Sequence, residues 1–279
     1  MQFPLNLRLR GGRFALLGAA LVLAAAIIPA STASGATGAR SGHPAAAKPT
    51  VVLVHGAWAD GSSWSGVVRD LQHDGYTVDV PPNPLRGAAS DSAYLASYLA
   101  TVPGPIVLVG HSYGGFVITN AATGNTNVKA LVYVDAYIPA QGESLNSLSA
   151  QFPGSEVVPD ALNFVPSADG VVDVYIKPAQ FREIMANDLS AGQAAELAAT
   201  ERPLAASVLG EESGAPAWTS IPSWAVVGTA DHAVPPAAQE FMAERAGATI
   251  TKLNASHLSL ISHPNKVTAV IEEAARHTS

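Results

Sequence analysis

Cysteine is absent from all 279 residues. Disulfide staples are therefore excluded, as is the lipid-modified cysteine of a lipoprotein, and stability has to come from packing. Charge is scarce, at 13% of residues, and the balance is acidic, with 15 Lys and Arg against 22 Asp and Glu. No basic tract runs anywhere along the chain, which argues against a nucleic-acid partner. No His-Glu-x-x-His helix or clustered ligand spacing points to a metal. No internal repeat marks a solenoid or propeller. Apolar residues make up 48% of the chain, the composition of a folded globular protein and not of a disordered one.

The first segment carries Arg8, Arg10 and Arg13, then an apolar run from Phe14 to Ile28, then the small residues Ala30, Ser31, Thr32, Ala33 and Ser34. This is the pattern of a secretory signal peptide over residues 1–34. The run is short of the roughly 20 apolar residues that span a bilayer, so no stable membrane anchor is expected after processing, and the mature protein is expected outside the cytoplasm, extracellular or periplasmic. Residues 35–49 are rich in Ala, Gly, Ser and Pro and read as a flexible lead-in. Residues 50–279 are long enough for one sizeable core and read as a single domain.

Within that domain, apolar strand-like runs alternate with helical spacings. Val51 to Val54, Tyr76 to Val80, Ile106 to Val109, Val128 to Val134, Ser223 to Val227 and Ala248 to Leu253 read as strands. Ser62 to His73, Asp91 to Ala100, Pro236 to Ala246 and Pro264 to His277 read as helices. This alternation implies an α/β architecture, a mostly parallel sheet with helices on both faces. The alternation breaks between about 139 and 216, where short helix-like pieces at 179–186 and 192–200 suggest a helical cap insertion. An extra surface layer without lid motion is the plainer reading of the same stretch.

The richest chemistry sits at Gly110, His111, Ser112, Tyr113 and Gly114, between the apolar run ending at Val109 and a helix-compatible segment. A serine hydroxyl is a weak nucleophile at neutral pH and has to be presented where a base can take its proton, which a sharp strand-to-helix turn with small neighbours does. Asp231 and His257 each follow another strand candidate, where an open parallel sheet binds ligands. The order Ser112, Asp231, His257 is that of the α/β-hydrolase triad. In such a triad His257 takes the Ser112 proton and Asp231 holds the imidazole. Asp135, at the end of a strand, competes with Asp231 for the acid. His263 competes with His257 for the base, although Pro264 after it suggests a helix start.

From Thr50 to the C-terminus the chain resembles the α/β-hydrolase superfamily, in the branch of small-ester hydrolases and hydroxynitrile lyases. The resemblance rests on the early strand with His55-Gly56-Ala57-Trp58, on Gly61 to Trp64, and on Gly110-His111-Ser112-Tyr113-Gly114-Gly115. It implies an α/β-hydrolase fold, cofactor-free acyl transfer on small apolar esters or lactones, and an oxyanion hole of backbone N–H groups from Ala57 and Tyr113. Lyases of this branch carry a lysine directly after the catalytic histidine, and here that position is Leu258. Ester hydrolysis is thus favoured over hydroxynitrile-lyase chemistry; perhydrolysis on the same residues is the other catalytic alternative, and the intact Ser-His-Asp set disfavours a non-catalytic ligand-binding protein. Trp58 and Tyr137 are candidate pocket walls. Oligomeric state is left open.

Overall fold

Strands covered on both faces need uninterrupted apolar runs, and the runs above form the centre of the molecule. The computed structural model describes residues 48–168 and 170–278. The expected leader, and all but the end of the lead-in, lie outside the described residues.

The domain opens with β1 (Thr50–Val54), a 3-10 turn at Gly61–Trp64, α1 (Ser65–His73), the short β2 (Val78–Asp79) and α2 (Ala88–Leu99). Next come β3 (Ile106–His111), α3 (Tyr113–Ala121) and β4 (Val128–Val134). An insertion follows with α4 (Leu145–Gln151), β5 (Leu162–Pro166), β6 (Val172–Ile176), α5 (Pro178–Met185), α6 (Ala191–Thr200) and β7 (Leu204–Ala205). The chain then returns through β8 (Ser223–Gly228), α7 (Pro236–Arg245), β9 (Thr249–Leu253), α8 (Ser259–Ser262) and α9 (Pro264–Arg276).

Six strands form one sheet in the order β2-β1-β3-β4-β8-β9, with every neighbouring pair parallel. Helices flank it: α3 rests on β1, β3 and β4 and meets α2, while α9 rests on β3, β4 and β8 and meets α1. The reason α9 lies there is its spacing. Val267, Val270, Ile271 and Ala274 are buried and fall three or four apart, one stripe of a helix, and Pro264 starts it where a missing N–H costs nothing. The register brings Val54 beside Gly110, His111 beside Val134 and Gly228 beside Leu253. The loops after β1, β3, β8 and β9 therefore leave the sheet at the same end, the carboxyl end of its strands.

Two local differences from the sequence expectation have physical causes. β2 shrinks to two residues at the sheet edge, because Pro81, Pro82 and Pro84 follow and prolines offer no N–H to a ladder. Between β4 and β8 the expected helices α5 and α6 are present, but the stretch also carries an antiparallel sheet, β5-β6-β7. Its strands are hard to read in sequence: only Leu162 of β5 is buried, and β7 has two residues.

Leu108 lies fully buried in β3, between β1 and β4. Leu108→Ala leaves a cavity that this close-packed layer cannot close, and is expected to lower stability by about 2–5 kcal/mol in urea unfolding. A loss below about 0.5 kcal/mol would contradict the central placement of β3.

Candidate active site

Ser112 is the single residue between the end of β3 and the start of α3, and its backbone has φ +54° and ψ −125°. A positive φ is costly for any residue with a Cβ, so neighbours must hold it. Its N–H donates to Val134 O at 3.1 Å, and its carbonyl accepts from Gly115 N at 2.9 Å and Tyr137 N at 3.2 Å. Space is as restrictive as bonding. A Cβ on Gly110 would stand 2.5 Å from Gly114 O, and one on Gly114 would stand 2.5 Å from Val54 O. The turn closes only because both positions lack side chains.

Three loops meet above this turn. Ser112 Oγ lies 2.8 Å from His257 Nε2, and His257 Nδ1 lies 2.7 Å from Asp231 Oδ2. All three residues are buried. A carboxylate only accepts, so the proton on Nδ1 points to Asp231 and Nε2 is left with a lone pair for the Ser112 hydroxyl. Asp231 is itself held: Oδ1 accepts from Ala233 N and Val234 N at 2.8 and 2.9 Å, and Oδ2 also accepts from Gln239 Nε2 at 2.7 Å.

Two further buried histidines act as struts. His55 Nδ1 donates to Gly56 O at 2.9 Å, and its Nε2 accepts from Asn83 N at 3.0 Å. His111 Nε2 donates to the carbonyl of His257 at 2.8 Å. Burial lowers the pKa of both rings, well below the ordinary value for His111, where the neighbouring His257 adds to the effect. Both are therefore neutral and hydrogen-bond as fixed tautomers. Neither the Ala57 N–H nor the Tyr113 N–H finds an acceptor among the described residues.

Both residues border a cavity of about 150 Å³ that reaches Ser112 and His257. Trp58, Tyr137, Leu162, Phe164 and Leu204 are among its walls. Several of them come from the insertion, and Trp58 is tied to it by Nε1 donating to Val174 O at 2.9 Å.

Residues 51–270 match the profile described as the Alpha/beta hydrolase family. The chain belongs to that family. A carbendazim hydrolyzing esterase from Nocardioides is 34% identical over 125 residues, 37% of this chain and 52% of that protein. A pyrethroid hydrolase from Sphingobium wenxiniae is 27% identical over 155 residues, 50% of this chain and 55% of that one. The match thus spans about half the length of each of these two relatives. The crystal structure of polyneuridine aldehyde esterase superposes with a TM-score of 0.70 at 18% identity, covering 81% of this chain and 99% of that chain, a likeness of fold.

In this α/β hydrolase the rival residues have other partners. Asp135 does not meet His257; its Oδ2 accepts from Ser259 N at 3.1 Å and Ser259 Oγ at 2.5 Å. His263 bonds to Ser262 Oγ at 2.8 Å. Leu258 is buried and is not part of the cavity wall. Glu156, Glu183 and His232 bring ligand-type atoms within 4.8 Å of one another, but none of them borders the cavity. Sequence reading overlooked Gln239. Its signal was present, a polar residue one helical turn into α7, eight positions after Asp231, but surface glutamines at such positions are common.

Burial pushes the Asp135 carboxyl well above the ordinary carboxylate range, and the Asp231 charge pushes the same way. Between a pKa near 4 in the unfolded chain and this raised folded value, the native state holds a proton that the unfolded state has released. Stability therefore falls as pH rises through that window, by up to about 1.4 kcal/mol per pH unit. Asp135→Asn keeps the shape, tolerates the φ of +47° and removes the titration. Urea unfolding at about pH 5 and about pH 8 should show a smaller loss for the variant than for the wild type. Equal losses would mean that Asp135 titrates as in the unfolded chain.

Proposed function

We propose that the protein is a carboxylic ester hydrolase that works through an acyl-enzyme, with Ser112 as nucleophile, His257 as general base and acid, and Asp231 as the group that orients the imidazole. The observation that carries this reading is the unbroken chain from Ser112 Oγ through His257 to Asp231 at the floor of a mostly apolar cavity. His257 Nε2 takes the hydroxyl proton as Oγ attacks the ester carbonyl, and the imidazolium so formed is stabilised by Asp231. The carbonyl oxygen becomes an oxyanion, which the free N–H groups of Ala57 and Tyr113 would receive. His257 then gives its proton to the leaving alkoxide. Water attacks the acyl-serine by the same proton path in reverse, releasing the acid and restoring Ser112. These steps call on no cofactor or metal.

A cavity of about 150 Å³ is the size that accepts one benzene ring, so the preferred substrates are esters or lactones with a small apolar acyl or alcohol part. The names of two relatives, an esterase that hydrolyses carbendazim and a hydrolase of pyrethroids, favour the same class. Leu258 leaves no cation where a cyanide leaving group would need one, which counts against the lyase alternative. Export of the mature protein is also part of this proposal and rests on the leader pattern in residues 1–34.

With p-nitrophenyl acetate and butyrate the protein should release p-nitrophenol, and Ser112→Ala should lower kcat by about 10⁴-fold or more. A fluorophosphonate probe should label Ser112. Absence of both turnover and labelling would overturn the reading.

A further inference from the structure

Two consecutive residues of the insertion, Asn187 and Asp188, lie between α5 and α6 and reach both loops that carry the proposed base and acid. Asn187 Nδ2 donates to the carbonyl of Ala230 at 2.9 Å, immediately before Asp231. Asp188 accepts twice from Ser256, immediately before His257: from the N–H at 3.1 Å and from the hydroxyl at 2.5 Å. The Ser256 hydroxyl in turn accepts from Leu258 N at 3.3 Å, so the chain is tied on both sides of His257. The two loops also bond to each other, Ala230 N donating to Ala255 O at 3.0 Å.

We propose that Asn187 and Asp188 are positioning residues, a clamp from the insertion that sets the spacing of His257 against Asp231 and Ser112. The proposal rests on the acyl-transfer reading above. Neither residue borders the cavity or hydrogen-bonds to any of the three side chains, so their effect passes through the Ala230 carbonyl and through the N–H and hydroxyl of Ser256. Burial pushes the Asp188 carboxyl up, but hydrogen bonds from Ser256 and Ser262 and the nearby His263 outweigh it and hold the pKa below the ordinary value. Its bonds to Ser256 are thus made by a carboxylate, and bonds of that kind are about twice as strong as neutral ones. Proton transfer along bonds of 2.8 and 2.7 Å tolerates little drift, since a misplacement of about 1 Å costs on the order of a hundredfold in rate. The insertion therefore supplies both walls of the cavity and the aim of the base.

The test compares Asp188→Ala, Asp188→Asn, Asn187→Ala and Ser112→Ala in the full-length protein with p-nitrophenyl butyrate. Asp188→Ala should lower kcat by about 10- to 100-fold while KM stays within about threefold, because ground-state binding does not use the clamp. Asp188→Asn keeps one carbonyl oxygen for Ser256 and should recover a large part of that loss. Asn187→Ala should show a smaller drop, again in kcat. Fluorophosphonate labelling of Ser112 in Asp188→Ala should be slower yet reach completion. If Asp188→Ala does not fold, Asn187→Ala and Asp188→Asn carry the same comparison. Wild-type kcat in the folded Asp188 and Asn187 variants, or a loss that falls on KM, would overturn the clamp. Undiminished turnover by Ser112→Ala would instead overturn the acyl-transfer reading itself.

Discussion

A backbone that turns from strand to helix in a single residue, with Ser112 at positive φ, is the constraint on which the rest of this molecule depends. Such a conformation costs on the order of 1–3 kcal/mol and persists only where its surroundings leave no alternative. Here the surroundings are the parallel strands on either side. The Ser112 N–H is taken by β4 through Val134, and the first turn of α3 lies against the carbonyl end of β1 at a distance that no side chain at Gly114 would allow. A hydroxyl raised on that turn cannot retreat into the sheet, and it stands where the loops after β8 and β9 can reach it.

The second feature is a buried network of polar side chains around the three meeting loops. His55 and His111 occupy positions that invite a catalytic or metal-binding interpretation, yet burial keeps both neutral and each is used as a strut, one under the loop with Ala57 and the other under the carbonyl of His257. Buried neutral imidazoles make stiff connectors, because rotating either ring would break its N–H bond to a backbone carbonyl and leave that donor away from water. Asp135 is a similar case. It sits one strand from Asp231 and contacts Ser259, so of the two acids at this end of the sheet only Asp231 bonds to an imidazole.

The insertion between β4 and β8 contacts both the cavity and the loops of Asp231 and His257. It closes the cavity with Leu162, Phe164 and Leu204, receives the Trp58 indole N–H, and reaches back to the loops of Asp231 and His257.

Much of this was legible in the amino-acid sequence. The apolar runs at Val51, Ile106, Val128 and Ser223 announced buried parallel strands, since a strand covered on both faces tolerates no polar alternation, and the glycines around Ser112 announced a turn too crowded for side chains. The short strands β5 and β7 were not legible, because their residues are mostly exposed or too few to set a period. Local pattern thus determined the elements of the central sheet and its flanking helices, the parallel order of that sheet and the candidate residues. Only the tertiary structure decided that His257 meets Asp231 and not Asp135, and that Gln239 bonds to Asp231 while Asn187 and Asp188 bond to Ala230 and Ser256, because those contacts join loops far apart in the chain and depend on distances that no local spacing encodes.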